Sequence, residues 1–304
     1  MTQATEETGH DEHIVVGMIA SAGAFLMFTI MNVFAKYLSD NHSVVEIAFF
    51  RNVFACLPFL LFALLFKRRD LFIIRSKPRM VVFRAFLGSI TLVITFAAYS
   101  LMPMAETAVL LFTASLFVPV LGVLLLRERV GPYRWSAVII GFVGVAIMVN
   151  PSGEMNLLGV AIALAAALLQ AFMSIILRHL GSHESPETVS FYLFVFGALF
   201  TGLAMPFVGK GFAMEELPYF VGIGLAGTGA QWLYSIAMKH TPAAIVAVFN
   251  YTSLIWAMLF GWLIWQEWPM PIVFIGATVV IVSNALIAWR ESRLYRQQRL
   301  RQRI

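Results

Sequence analysis

Apolar residues in this chain gather into long blocks separated by short polar or charged breaks. They do not recur on one face of amphipathic elements. Ten such blocks lie near residues 14–38, 44–66, 80–101, 105–126, 133–150, 156–178, 188–208, 217–238, 243–265 and 270–289. Crossing about 30 Å of hydrocarbon takes about 20 apolar residues in a helix. Each block therefore predicts one membrane-spanning α-helix. The links "MPM" (102–104) and "KHTP" (239–242) are so short that the helices they join are antiparallel neighbours, with no room for a soluble domain.

Composition agrees: 60% of the 304 residues are hydrophobic and 12% charged, against about 25% charged in soluble domains. Charge placement then orients the chain, because cytoplasmic loops are enriched in Lys and Arg. With the N-terminus inside, 18 of the 21 Lys and Arg fall on the cytoplasmic side; Lys36 and Lys210 fall outside, and Arg51 lies within a span. The expectation is a multi-pass protein of the cell inner membrane. Both termini are cytoplasmic, as a polar tail (1–13) and a basic tail (290–304). The tail "RESRLYRQQRLRQRI" is explained by orientation and attraction to anionic lipid, without a nucleic-acid partner. The acidic N-terminus lacks the positive n-region of a signal peptide, so the first block is a retained helix. Cys56 is the only cysteine, which excludes a disulfide framework and a cysteine-based metal site.

The chain is also written twice. At an offset of 142, "GMIASAGAFLMFTIMNVFAKYL" (17–38) aligns with "GVAIALAAALLQAFMSIILRHL" (159–180), placing Lys36 on Arg178. At an offset of 139, "PMAETAVLLFTASLFVPVLGVLLLRE" (103–128) aligns with "PAAIVAVFNYTSLIWAMLFGWLIWQE" (242–267). Pro103, Ala105, Ala108, Val109, Thr113, Gly122 and Glu128 recur as Pro242, Ala244, Ala247, Val248, Thr252, Gly261 and Glu267. The repeats span 14–150 and 156–289, five helices each. An odd number of crossings makes the two halves insert with opposite orientation, an arrangement found in secondary transporters.

The doubled five-helix unit carries "AFFR" (48–51) early in its second helix and a P-x-A…G…E pattern closing the fourth and ninth. On these features it resembles the drug/metabolite transporter superfamily, and within it the EamA-type branch, over about 14–290. The resemblance implies an all-α fold of ten transmembrane helices, as two inverted repeats around a central cavity lined from both halves. Members move amino acids and their derivatives, riboflavin, S-adenosylmethionine or sugars. The implied function is a secondary transporter of a small polar or amphipathic organic metabolite, working by alternating access. "SVVEIAFFRNVFA" (43–55) is also similar to vitamin- and nucleoside-type carriers. That likeness makes specific uptake of riboflavin or S-adenosylmethionine the alternative to export of a metabolite.

Polar side chains at membrane depth are costly and by default face a cavity or another helix. Asn32 and Lys36 share one face of the first helix, as Ser174 and Arg178 do on the sixth. Either all four face inward, or the two cations snorkel to opposite interfaces. Gln170, Gln231, Tyr234, Asn250 and Tyr251, with Trp232 alongside, suit an organic solute with a ring and polar edges. Interhelical hydrogen bonding is the competing explanation for the group. Tyr99 recurs in the repeat as Tyr234 and joins the candidates. Arg51 raises the sharpest question, since a guanidinium inside a span costs at least about 2.5–3.5 kcal/mol. It pairs with Glu106, or holds an anionic group of the substrate, or snorkels outward.

Other chemistry fails on context. "GIGLAG" (222–227) lies inside an apolar block with no preceding strand, so it reads as a small-residue packing face and not as a dinucleotide loop. The six histidines lie in the tail or at helix ends, and none forms H-E-x-x-H. No catalytic set, metal site or cofactor is expected. Trp265 and Trp268 read as an interfacial belt. A membrane enzyme would need a nucleophile–base set at one depth, and a channel a ring of equivalent polar groups; neither pattern is present. The expected partners are a small-molecule substrate and the lipid bilayer, with a homodimer left open.

Overall fold

The computed structural model describes the backbone of residues 2–65, 67, 73–74, 78–127, 130–149, 156–180 and 186–301. Side chains are described for the same residues apart from 2–14, 62–63, 177–180, 186–187, 243–244 and 288–301. The calls on the two tails, Glu128 and the Arg178 side chain lie outside the described side chains. The described residues form helices and turns, with no strand among them.

Thirteen helices follow one another: α1 (Thr2–Leu38), α2 (Val44–Leu65), α3 (Pro78–Leu101), α4 (Met104–Leu111), α5 (Ala114–Leu126), α6 (Pro132–Val149) and α7 (Leu157–Leu180), then α8 (Pro186–Gly202), α9 (Met205–Val208), α10 (Leu217–His240), α11 (Ala243–Asn250), α12 (Thr252–Trp265) and α13 (Pro271–Arg301). Pro78, Pro132, Pro186 and Pro271 each open a helix, where the missing N–H costs nothing. Among the described residues seven stretches are long and apolar enough to cross a membrane: Val15–Leu38, Val44–Leu61, Pro78–Leu101, Met104–Leu126, Pro132–Val149, Leu157–Ile176 and Ile245–Trp265. Thr188–Gly202 and Pro271–Ile287 are shorter apolar helices. The apolar run of α10 is diluted by its glycines, Gln231, Lys239 and His240. The protein is a multi-pass helical membrane protein.

Two spans break at corresponding places. Between α4 and α5, Thr113 Oγ1 donates to Leu110 O at 2.6 Å; between α11 and α12, Thr252 Oγ1 donates to Phe249 O at 2.7 Å. Hydroxyls bonded back to the preceding turn compete with the helical ladder and bend it. Both α5 and α12 end on a left-handed residue, Arg127 (φ 53°) and Gln266 (φ 57°), again at matching repeat positions. Positive φ is uncommon outside glycine, so the coincidence reflects one local design used twice.

Helix pairings match as well. Contacts α1–α10 and α3–α7 correspond under exchange of the two halves, as do α2–α10 and α3–α8, and α1–α12 and α5–α7. Pairs α2–α8 and α6–α13 each map onto themselves. Close approach depends on glycine: a Cβ on Gly144 of α6 would lie 3.0 Å from Gly276 O of α13. "GIGLAG" on α10 is likewise a packing face, with Gly222 against Phe34 and Gly224 against Phe54.

Candidate functional site

A cavity of about 570 Å³ lies among the helices. The first half contributes Asn32 from α1, Arg51 and Asn52 from α2, and Ser89, Thr91, Thr95 and Tyr99 from α3. The second half contributes Gln170 and Ser174 from α7, Gln231 and Tyr234 from α10, Asn250 from α11 and Ser253 from α12. Phe25 and Phe28 form an aromatic wall with Tyr234, whose ring meets theirs edge-on at 6.2 and 6.4 Å. Several hydroxyls are tied to their own helices: Ser89 donates to Ala85 O, Thr91 to Leu87 O and Thr95 to Thr91 O at 2.7–2.8 Å. Their oxygens keep lone pairs for a ligand donor. Asn32 Oδ1 has no hydrogen-bond partner among the described residues.

Eight of the ten sequence candidates thus line one cavity: Asn32, Arg51, Tyr99, Gln170, Ser174, Gln231, Tyr234 and Asn250. Two do not. Trp232 is 58% exposed on the far face of α10, because adjacent helical residues are about 100° apart and it cannot share the face of Gln231. Tyr251 sits at the α11–α12 break and packs edge-on against Phe112 at 5.2 Å.

Arg51 is also corrected in part. It forms no ion pair with Glu106 among the described residues, because α2 packs chiefly on α8 and α10. Nor does it snorkel, being only 3% exposed. Its Nη1 donates to Asn52 Oδ1 at 2.8 Å, and the guanidinium carbon stands 4.6 Å from the centre of the Phe194 ring. Arg51 Nε and Asn52 Nδ2 have no hydrogen-bond partner among the described residues.

Sequence reasoning missed two polar clusters at the end of the bundle where α1 finishes and α2 begins. Lys36 does not snorkel: its Nζ donates to Glu267 Oε1 at 2.5 Å and Met102 O at 3.0 Å, and stands 4.9 Å from the Trp265 ring centre. Glu267 Oε2 accepts from the Met104 N–H at 3.2 Å, so one carboxylate joins α1, the start of α4 and the end of α12. The repeat alignment showed both residues closing their helices at the same surface. That shared surface was the available signal. In the second cluster, Glu46 Oε1 accepts from the Lys210 and Gly211 N–H groups at 3.0 and 2.9 Å. Its Oε2 lies 3.2 Å from His42 Nδ1, while His42 Nε2 lies 3.1 Å from Glu216 Oε2. No three His, Cys, Asp or Glu side chains among the described residues are arranged to hold a metal ion.

Comparison with known proteins places this geometry. The EamA-like transporter family profile matches residues 15–150 and 157–289. The chain is 26% identical over 272 residues to the pseudopaline exporter of Pseudomonas aeruginosa, covering 88% of this chain and 94% of that one. It is 29% identical over 293 residues to a riboflavin transporter of Rhizobium johnstonii, covering 93% and 94%. A crystal structure of a protein 15% identical superposes with a TM-score of 0.61 over 90% of this chain and 99% of the other, a likeness of fold. These names are those of transporters, not enzymes. With both of its halves matched, the chain belongs to the EamA-like transporter family.

Proposed function

We propose that this protein is a secondary transporter that moves a small polar or amphipathic organic metabolite across the cell inner membrane by alternating access. The observation that carries this reading is the cavity lined from both matched halves, apolar and aromatic with a few oriented amides and hydroxyls. Ligand sites have this composition. Ten spans arranged as two inverted five-helix repeats complete the reading. The matched helix pairings support it, as do the paired breaks at Thr113 and Thr252. With the N-terminus inside, the Lys36–Glu267 and His42–Glu46 contacts close the outer end, while the cavity runs toward Met238 and Ser174 at the inner end. That supports an inward-open state. The wall of Phe25, Phe28 and Tyr234 favours a solute bearing a flat ring, as a vitamin-type carrier would bind.

The test compares metabolites inside and outside cells with and without the protein. Asn250→Ala and Gln231→Ala are expected to slow redistribution of the transported solute severalfold at unchanged membrane abundance. Normal rates in both variants would refute the cavity as the solute's route. Reporter fusions at Ile304 and within residues 210–216 are expected on opposite sides of the membrane; the same side for both breaks the ten-span count.

A further inference from the structure

The cavity's charge balance restricts what can occupy it. Among the described lining residues, Arg51 is the only one with a formal charge, and no acid faces the cavity. A guanidinium carries five N–H donors. Here one is taken by Asn52 and the Phe194 face covers the group, while Nε is shut away against α10 with no hydrogen-bond partner. Arg51 is 3% exposed, lines the cavity and meets no carboxylate among the described residues. The packing around it is shaped to keep it there. A Cβ on Gly227 of α10 would lie 2.8 Å from Arg51 Nε, and one on Gly197 of α8 2.7 Å from Asn52 Nδ2. Two helices thus make room for a cation and its amide neighbour without supplying an anion.

Resting on the transporter reading above, we propose that Arg51 binds a carboxylate of the solute, and that the solute is an organic monocarboxylate without a free amine. A carboxylate accepts charge-assisted hydrogen bonds from the guanidinium N–H groups that Asn52 and α10 leave open. One negative charge balances the one positive charge. A phosphate monoester would bring a charge of about −1.5 to −2 at neutral pH, and the described lining holds no second cation. A free amino acid would bring an ammonium for which the described lining residues offer no carboxylate. The amides and hydroxyls of Asn32, Gln170, Gln231 and Asn250 suit the neutral polar part of such a molecule, and the Phe25–Phe28–Tyr234 wall its apolar part.

The experiment measures metabolite redistribution in cells carrying the wild type, Arg51→Gln or Arg51→Lys, with membrane abundance and the melting temperature of each purified protein. The redistributed solute is expected to bear a single negative charge. Its rate should fall roughly ten- to a hundredfold in Arg51→Gln, the size of a lost charge-assisted pair, and less in Arg51→Lys. The melting temperature of Arg51→Gln is expected at or above that of the wild type, since the change relieves an unbalanced buried charge. A neutral, zwitterionic, cationic or multiply anionic solute overturns the inference. So does an undiminished rate in Arg51→Gln, or a marked loss of abundance or melting temperature in that variant. If the wild type redistributes nothing, the transporter reading itself fails, an outcome distinct from a solute moved without help from Arg51.

Discussion

Glu46 and Arg51 lie five residues apart on α2, both enclosed, and their surroundings differ completely. Glu46 is 0% exposed and saturated: two backbone N–H groups fill one oxygen and His42 faces the other. Arg51 is almost as deeply buried but meets one amide oxygen and a ring face. A buried group with every partner in place ties elements together. A buried charge that borders a cavity and has no counter-charge among the described lining residues is one that a ligand can complete. Burial of charge marks both, and satisfaction separates them.

The largest expected effect comes from breaking the saturated member. Glu46→Ala leaves the Lys210 and Gly211 N–H groups and His42 Nδ1 without their carboxylate, a loss of about 3–5 kcal/mol for one partner removed from a buried set. Membrane abundance and melting temperature should fall sharply, in contrast to Arg51→Gln. Equal melting behaviour of Glu46→Ala and the wild type would erase the contrast between the two residues.

The same contrast explains what could be read from the sequence. Long apolar blocks and polar residues at membrane depth are local signals, so the all-helical character of the chain and eight of the residues lining the cavity followed from them directly. The Lys36–Glu267 contact joins residues 231 apart, and depth alone does not tell which helices touch. For that reason Glu106 stands among the sequence's candidate partners for Arg51 although α2 packs chiefly on α8 and α10. Ser89, Thr91 and Thr95 escaped notice because hydroxyls bonded to their own helices resemble ordinary span residues. Trp232 and Tyr251 were drawn in by adjacency along the chain, which on a helix points residues to different faces.

A second test sharpens the comparison from the ligand side with smaller effects. Gly227→Ala puts a methyl 2.8 Å from Arg51 Nε and 3.1 Å from Nη2, so the guanidinium must shift. Overpacking of this kind costs about 1–3 kcal/mol, and transport should fall severalfold while the protein still folds. Gly229→Ala, two positions along, meets only Met27 at 3.9 Å and serves as the matched control. If both variants transport like the wild type, the position of Arg51 has no bearing on transport.

The smallest effect concerns Glu216, which precedes α10 and lies outside the membrane-spanning segments. The Ala213 N–H donates to its Oε2 at 3.0 Å, and His42 Nε2 stands 3.1 Å from the same oxygen. The Ala213 N–H, then His42, hold the carboxyl below its ordinary range against a small opposing desolvation. The folded state therefore binds a proton at this group less readily than the unfolded chain does. Its contribution to stability is complete above the unfolded value of about 4.3, and is lost as pH falls through the lowered folded value. Glu216→Gln cannot titrate. Its melting temperature should lie slightly below that of the wild type at neutral pH, the gap being small because the side chain is 27% exposed and screened by solvent. On acidification below about 4 the two curves should converge. A gap that stays constant through that range would show that the Glu216 charge plays no part in holding this end of the bundle, leaving Glu46 alone to anchor His42.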